Sequence, residues 1–413
     1  MAIPTTQGIF NTSRFTQDHA RKSFASMITR LMPNGTAPLF GLTSMLDSKT
    51  AVQVEHGFFT KTMVFPAFEL TAAISASDTT FTVASTSNLL PGQIHRLQET
   101  GENVIINQVI SSTQVVVGRS VGNVAAAGVN PATAIANAYQ VGNAFEEASI
   151  RPNALSIQPV RITNLTQIFR NTWALSGSAV ETQVIAGDTN VAENRQDCAA
   201  FHAADIEKAL FFGQKSQGFR NGQPFRTMDG LMSIVGNLSY YPASYDTPNV
   251  NPAGATTTYD QLISYLDPVF NQATDPKVAN ERALFVGGHA FNVINAIGRT
   301  TGEYQIVDGQ TSFGLQFSTF KIPRGTFRMI EHPLFNTNSH WARMAIAVDL
   351  STFHLAYLGN RKTKSQEFNQ DGTPVDNGID AVGGTLTTEL TVEVRNPPAN
   401  AIITGLTAAA GAE

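Results

Sequence analysis

The sequence predicts an α+β protein, and three observations support that fold class. Short stretches with alternating apolar and polar residues, typical of strands, occur in the first half of the chain and again over its last hundred residues. Between them lies one long segment, about residues 190–213, whose apolar residues recur at helical spacing. Helices and strands do not alternate as they do in βαβ units, so a doubly wound parallel sheet is not expected.

The chain is unusually poor in charge. It has 413 residues, of which 27 are basic and 32 acidic, so 14% are charged, whereas about 25% is usual. The apolar fraction of 42% suffices for a sizeable core and excludes a disordered protein. The net charge of −5 gives no general attraction to nucleic acid or to an anionic membrane. Either neutral polar side chains face water, or other subunits cover much of the surface.

Common catalytic and cofactor motifs are absent from the sequence. It contains no phosphate-binding P-loop, no dinucleotide-binding glycine motif, no His-Glu-x-x-His and no Gly-x-Ser-x-Gly. Cys198 is the only cysteine, which excludes an intrachain disulfide and fits a reducing cytoplasm. The acidic stretch 371–380 lacks the ligand spacing of a calcium loop, so a polar loop is expected there. We predict no catalytic, cofactor-binding or metal-binding residues, no transmembrane segment and no signal peptide.

Residues 1–50 form a distinct basic segment. Five basic and two acidic side chains give it a net charge of +3, against −8 for the remainder. Prolines and a glycine interrupt it, and its apolar residues indicate that it lies against the body of the protein or against a neighbour. A frayed terminus is the alternative. The basic residues singled out here are Arg14, Arg21, Lys22 and Arg30.

The next part of the chain is predicted to be β-rich. Residues 52–68 and 153–175 both read as extended strands, and they could be the two arms of one long hairpin. Between them, about residues 70–145, short strands recur with turn formers between them, which predicts a small antiparallel β module. The run 122–138, rich in alanine and glycine, is predicted to be a loop that closes the module.

The predicted long helix has clear ends. Asn190 with Glu193 forms a capping-box pattern, and Gly213 stands where the helix should stop. Further helices are predicted at 259–272 and 289–297, the latter with His289 at its start as a cap. Within the long helix, Cys198 is predicted to be a small buried apolar side chain and not a nucleophile, and His202 a packed or interfacial residue. The later strands are predicted at 283–286, 315–322, 327–331, 342–350 and 385–394.

The densest basic run is Arg361-Lys362-x-Lys364. A solvated turn is the simplest interpretation of such a run. A contact with phosphate, or an ion pair with another subunit, is the functional alternative. The residues themselves leave the choice open.

Five stretches carry a resemblance to a known family. In order and spacing they resemble the major capsid proteins of tailed bacteriophages with the Hong Kong 97-type fold, in its podophage branch, over residues 160–406 with gaps. The stretches are Asn164-Leu-Thr-Gln-Ile-Phe-Arg170, Trp173-Ala-Leu-Ser-Gly177, Asp205-Ile-Glu-Lys-Ala-Leu-Phe-Phe-Gly213, Arg226-Thr-Met-Asp-Gly-Leu231 and Thr391-Val-Glu-Val-Arg-Asn-Pro-Pro-Ala-Asn-Ala-Ile-Ile-Thr-Gly405.

The resemblance implies a division of the chain into the parts of that fold. The inserted β module departs from the minimal form of the fold, and it could brace neighbouring capsomers or receive a decoration protein. No removal of a prodomain and no covalent crosslinking are expected. The implied parts are an N-terminal arm (1–50), an extended E-loop hairpin (51–175) with the β module at about 70–145, a peripheral domain (176–256) with a spine helix at about 190–213, an axial domain (257–350), and a return to the peripheral domain with the C-terminal strand (351–413).

The resemblance also implies a structural function. Copies of the chain, as pentamers and hexamers, would form an icosahedral shell around double-stranded DNA without sequence-specific binding, after assembly in the host cytoplasm. A portal at one vertex and a decoration or scaffolding protein would be further partners, with no membrane and no enzyme activity. Burial between subunits would account for the low charge. The interface candidates are Arg14, Arg21, Lys22, Arg30, Arg361, Lys362 and Lys364.

Two alternatives remain open at this stage. An encapsulin-type nanocompartment would have a related shell but would package a protein instead of DNA. A β-rich surface adhesin or carbohydrate-active enzyme would use residues 70–145 as its binding module. The missing signal peptide makes this second alternative the weaker one.

Overall fold

The structure, a computed structural model, divides into two compact units. It describes residues 37–46, 48–61, 65–156, 158–182, 190–241, 245, 247–254, 256–271, 280–301, 307–312, 315–368 and 380–407. The larger unit comprises the described residues up to Phe58, Ile162–Tyr241 and those from Thr247 onward. The smaller unit comprises Phe59–Arg161 together with Tyr245. Within these described ranges, every helix is too short or too polar to cross a membrane.

Helices and strands are mixed along the chain, so the predicted α+β class is confirmed. The helices are α1 (Pro38–Met45), α2 (Gly177–Glu181), α3 (Asn190–Phe212), α4 (Leu231–Val235), α5 (Tyr259–Leu266) and α6 (Gly288–Thr301). The strands are β1 (Lys49–Ala51), β2 (Glu55–Thr60), β3 (Ala67–Glu69), β4 (Thr80–Thr82), β5 (Gln93–Leu97), β6 (Asn103–Val109), β7 (Gln114–Gly118), β8 (Asn137–Asn143), β9 (Val160–Leu165), β10 (Gln167–Ser176), β11 (Ser216–Arg220), β12 (Gln223–Thr227), β13 (Val250–Pro252), β14 (Glu281–Val286), β15 (Val307–Ser312), β16 (Leu315–Ile322), β17 (Gly325–Glu331), β18 (Ala345–Val348), β19 (Phe353–Leu358), β20 (Lys364–Phe368), β21 (Ala381–Val394) and β22 (Ala401–Thr404).

A five-stranded sheet in the larger unit is built around β21. This strand pairs along one edge with β10 and along the other with both β19 and β20, while β1 pairs with β19 in parallel. The long helix α3 packs on one face of this sheet, where Phe169 of β10 shares a hydrophobic core with Ile206 and Leu210 of α3. At 23 residues, α3 is roughly 35 Å long. The helix predicted at 190–213 is thus present.

A seven-stranded sheet forms the rest of the larger unit. Its order is β13-β22-β18-β14-β17-β16-β15. Successive side chains of β14 point to opposite faces, so Phe285 joins the core under α3 while Leu284 joins a second core with α5 and α6. Because β22 pairs here, the last residues of the chain are divided between the two sheets, with β21 in one and β22 in the other.

The smaller unit contains a six-stranded antiparallel sheet in the order β3-β8-β5-β6-β7-β4. Its own core includes the fully buried Phe81, Val104 and Val115. The predicted antiparallel β module is therefore confirmed as a structural element. The prediction of a loop over 122–138 was wrong at its end, because β8 begins at Asn137 and lies between β3 and β5 in the sheet.

Three other predictions need correction. Among the described residues, the two arms of the predicted hairpin pair through β2 and β9, whereas β3 pairs with β8 and β10 with β21. The helix at 259–272 ends at Leu266, because Pro268 lacks the N–H that would continue it, and a 3₁₀ turn follows. The strand at 342–350 is limited to β18, because a 3₁₀ turn precedes it. The strands β19 and β20 were not predicted.

Candidate functional site

The predicted interface residues fall into two groups. Arg14, Arg21, Lys22 and Arg30 lie outside the described residues, as does the stretch 371–379. Arg361, Lys362 and Lys364 lie at the turn from β19 into β20, on the five-stranded sheet.

The three basic side chains of this turn have different surroundings. Nε of Arg361 donates to Oε2 of Glu389 over 2.7 Å. Nζ of Lys362 donates to Oγ of Ser48 over 2.9 Å and lies 5.4 Å from the centre of the Tyr357 ring. Lys364 is exposed at the start of β20. The turn is therefore anchored to the sheet by two of its cations, and the third is open to solvent.

Strand register brings further cations to the same face. Arg170 of β10 is directly opposite Thr387 of β21, which is directly opposite Lys364 of β20. Opposed residues of neighbouring strands share a face, so Arg170 and Lys364 project from the same side. Glu389, two residues along β21, projects from that side as well. The other side of β21 faces α3, because Oγ1 of Thr388 lies 2.7 Å from Nε2 of His202.

Glu389 is the buried centre of this face. Its side chain is only 3% exposed, and Nη2 of Arg226, from β12, lies 3.7 Å from its Oε1. Two cations, Arg226 and Arg361, thus pair with Glu389, and Arg170 and Lys364 project from the same side of the sheet, away from α3. Four cations and one carboxylate give this group a net charge of +3. We call this group of side chains the basic face, and its members are Arg170, Arg226, Arg361, Lys364 and Glu389.

Two members of the basic face were predicted from the sequence, and the other three were not. Arg361 and Lys364 belong to a visible basic run, whereas Arg170 and Arg226 are isolated in the sequence. Only the pairing of β10 and β20 with the two edges of β21 places Arg170 and Lys364 on one side of the sheet. A single exposed cation on a strand is common, so neither Arg170 nor Arg226 indicated in the sequence that it belongs to this group.

Cys198 and His202 of α3 are both buried. Nδ1 of His202 lies 2.7 Å from Oδ1 of Asn171, and burial lowers the pKa of the His202 imidazole. Cys198 is buried, and burial raises the pKa of its thiol. A thiol with a raised pKa is a poor nucleophile near neutral pH. The burial predicted for Cys198 is confirmed, and of the two alternatives for His202 the structure shows the packed one.

The start of α6 is capped by a different residue from the one predicted. The N–H of Gly288, the first residue of the helix, donates to Oδ1 of Asn336 over 2.7 Å. Asn336 follows β17 far along the chain, so the sequence near His289 gave no sign of it. Across the residues that the structure describes, no three His, Cys, Asp or Glu side chains form a group that could hold a metal ion.

Several large apolar side chains are exposed. Phe219, near the tip of the hairpin formed by β11 and β12, is 82% exposed, and Ile150 of the smaller unit is 93% exposed. Phe59, Phe65 and Phe201 are also exposed. Isolated exposed apolar residues are ordinary, but aromatic side chains on projecting elements are typical of contacts with other chains.

A family model described as SU10 major capsid protein matches residues 4–407, nearly the whole chain. The chain belongs to the SU10 major capsid protein family. A major capsid protein of Pseudomonas phage PaMx41 is 37% identical over 408 residues, which cover 97% of this chain and 96% of that relative. The prediction of a phage major capsid protein is thus confirmed.

Solved structures from a phage and from an encapsulin complex are similar to the chain at low sequence identity. A chain of Microbacterium phage Oxtober96 aligns with 93% of this chain and 95% of its own length, at 11% identity and a TM-score of 0.43. The SrpI encapsulin complex of Synechococcus elongatus PCC 7942 aligns with 60% of this chain and 75% of its own, at 11% identity and a TM-score of 0.40. Membership of the SU10 family rests on the family model and the curated relative, and not on these structures.

Proposed function

We propose that this SU10-family protein assembles with copies of itself, as pentamers and hexamers, into a closed icosahedral shell around the double-stranded DNA of a tailed phage. The family match along residues 4–407 is the observation that supports this most strongly. Many modest contacts between identical subunits stabilise a closed assembly more than any single contact would. The role is structural, and none of its steps requires a catalytic group.

The proposed architecture is of the Hong Kong 97 type. In this proposal α3 is the spine helix, and residues 51–175 form the E-loop with the six-stranded sheet as its insertion. Residues 257–350, with α5, α6 and most of the seven-stranded sheet, are the axial domain, and that sheet also takes in β13 and β22 from outside this range. Of the predicted arm, 1–50, only residues 1–36 are proposed to reach neighbouring copies, because α1 and β1 pack on the larger unit. The observations that support it are the long helix packed on a sheet and the separate smaller unit inserted between β2 and β9.

The basic face is the proposed contact with an acidic surface of a neighbouring copy. The chain carries a net charge of −5, so the surface outside this face is acidic on average. A positive patch on an acidic subunit favours association with another copy in the orientation that brings the patch against an acidic surface, and it disfavours orientations that bring like charges together. Arg14, Arg21, Lys22 and Arg30 are proposed to make similar contacts, or to face the DNA. A portal and a decoration or scaffolding protein are further proposed partners, and host cytoplasm the site of assembly.

Expression of the chain followed by electron microscopy tests the proposal. We expect closed shells or sheets of capsomers in the particle fraction, and double-stranded DNA inside particles from infected cells. A monomer that stays dispersed under all assembly conditions would contradict the proposal. Native particles that hold a protein guest instead of DNA would favour the encapsulin alternative.

Deletion of residues 1–30 tests the proposed arm separately. We expect a folded subunit, because the truncation leaves α1 and both compact units in place, but few or misshapen shells. Circular dichroism reports the fold and electron microscopy reports the shells. Shells of normal number and size from the truncated chain would refute the role of the arm.

A further inference from the structure

A buried carboxylate holds the first turn of α1, the helix that follows the N-terminal segment. Oε1 of Glu207, in α3, accepts a hydrogen bond from the N–H of Leu39 over 2.7 Å, and Oε2 accepts one from the N–H of Phe40 over 2.7 Å. The first N–H groups of a helix have no partner within it. Ala37, at the N-cap position, has no side chain that could serve them. Glu207, 168 positions along the chain from Leu39, serves them instead.

His332 is the third hydrogen-bond partner of this carboxylate. Its Nε2 lies 2.8 Å from Oε1 of Glu207, and both side chains are fully buried. The imidazole ring is stacked on Phe335, with 4.4 Å between the ring centres, and meets the edge of Phe211. A buried carboxylate is tolerated only when hydrogen bonds replace its water, and three N–H groups do so here. Glu207 thereby joins α3 to α1 and to the segment that follows β17.

The placement of α1 depends on this contact. A helix of eight residues is too short to be stable by its own hydrogen bonds. It is held by the burial of Leu39 and by the Glu207 carboxylate, which also interacts favourably with the positive end of the helix. Residue 36, where the N-terminal segment ends, lies one position before the N-cap. Glu207 therefore fixes the position of Ala37, the residue to which the N-terminal segment is joined.

We propose that Glu207 is a positioning residue for shell assembly, which fixes where residues 1–36 leave the larger unit. The proposal rests on the proposed function of that segment as an arm between subunits. Loss of the contact leaves both compact units folded but frees the base of the arm, so that arms no longer meet neighbouring copies in one geometry.

The test compares Glu207→Gln with Asp205→Asn in the full-length chain. The first keeps the size of the side chain but replaces one acceptor oxygen with a donor amide. The second removes a carboxylate from the exposed side of the same helix. We expect amide hydrogen exchange in the peptide 37–46 to accelerate roughly ten- to a hundredfold in Glu207→Gln only. Shell yield should fall at least about tenfold, because every contact proposed for the arm depends on the placement of α1 by Glu207.

A second substitution separates positioning from helix stability. Ala37→Asp gives α1 a local N-cap but no link to α3, so adding it to Glu207→Gln should restore slow exchange in 37–46 without restoring shells. If this double variant assembles normally, Glu207 acts only through helix stability and the proposal is wrong. Normal shells from Glu207→Gln alone would also overturn it.

Two controls keep the test decisive. If Glu207→Gln does not fold, Phe40→Pro is compared with Phe40→Ala. Both variants lose the aromatic ring, but only proline also removes the N–H that donates to Glu207. Proline is tolerated in a first helical turn. Equal shell yields from these two variants would overturn the proposal. Deletion of residues 1–30 distinguishes the failures: if it abolishes shells while Glu207→Gln assembles normally, the arm stands and only the anchor is refuted.

Discussion

Arg119 and Glu102 form a two-point ion pair inside the smaller unit, with Nε and Nη2 of the guanidinium each 2.7 Å from a carboxylate oxygen. The side chain of Glu102 is fully buried and that of Arg119 is 8% exposed. Nη1 of Arg119 also donates to the carbonyl oxygen of Ser75, and the N–H of Ser120 donates to Glu102. Burial raises the pKa of Glu102, but these hydrogen bonds outweigh burial and leave it below its usual value. The pair ties two loops to the sheet.

Loss of the Arg119 side chain should destabilise the smaller unit strongly. Arg119→Leu leaves Glu102 buried without its partner, which typically costs about 3–5 kcal/mol. Urea unfolding of the full-length chain, followed by hydrogen exchange in peptides of residues 93–118, measures the effect. Arg96→Leu, an exposed cation of the same unit, is the control and should change little. A loss no larger than that of the control would show that the pair is not needed.

The buried His95 should make the stability of the smaller unit depend on pH. Burial lowers the pKa of its imidazole from 6.5 to about 4. Below pH 6.5 the unfolded chain binds a proton that the folded chain does not accept until about pH 4. The unfolding free energy of the smaller unit therefore keeps its full value with respect to this group above pH 6.5. It decreases as the pH falls towards 4, by on the order of 2–3 kcal/mol.

The variant His95→Gln isolates this contribution. Glutamine can still donate to Oε1 of Gln93, which lies 3.2 Å from Nε2 of His95, but it does not titrate. The difference in unfolding free energy between pH 7.5 and pH 5 should be smaller in the variant than in the wild type. Equal differences would mean that another group causes the pH dependence.

Local patterns predicted the long helix and several strands of this chain, but not all of its regular elements. The periodicity around Ile206 predicted α3, and the alternation over residues 315–322 predicted β16 at its observed bounds. The strand β8 was missed because its sequence, poor in β-branched residues, is held extended by its neighbours β3 and β5. Tertiary pairing, and not local preference, decides such a strand.

The candidate surfaces were harder to predict because they join distant residues. Arg170 and Lys364 share the basic face only through their common neighbour Thr387. Glu207 reads in the sequence as one more acidic residue of a solvated helix, yet it is fully buried against α1. Neither relationship leaves a periodic pattern, since each depends on strand register or on packing across long separations in sequence.

Gly213 should resist substitution, because the backbone approaches it closely where α3 ends. A Cβ there would lie 2.6 Å from the carbonyl oxygen of Ala209 and 2.7 Å from that of Met228. Gly213→Ala must move one of these backbone segments, at a cost on the order of 2–3 kcal/mol. Gly218→Ala, where a Cβ would have no neighbour within 4 Å, is the control. Thermal unfolding measures both, and equal midpoints would contradict the expected crowding.

Charge reversal tests the proposed contact of the basic face. Arg170→Glu combined with Lys364→Glu changes the excess of this face from three positive charges to one negative, and both residues are exposed. Subunit stability should change by no more than about 0.5 kcal/mol, whereas shell yield at low salt should fall sharply, because the face would now repel an acidic neighbour. Lys208→Glu, an exposed cation on α3, is the control.

Salt dependence adds a second measurement to this comparison. Assembly of the wild-type chain should weaken as sodium chloride screens the contact, since the Debye length falls to about 3 Å at 1 M. In the double variant the shell yield should be low at every salt concentration, so it should no longer depend on sodium chloride. Shells of normal yield that package less DNA would instead assign the basic face to the genome. Normal yield with normal DNA content would leave the face without either role.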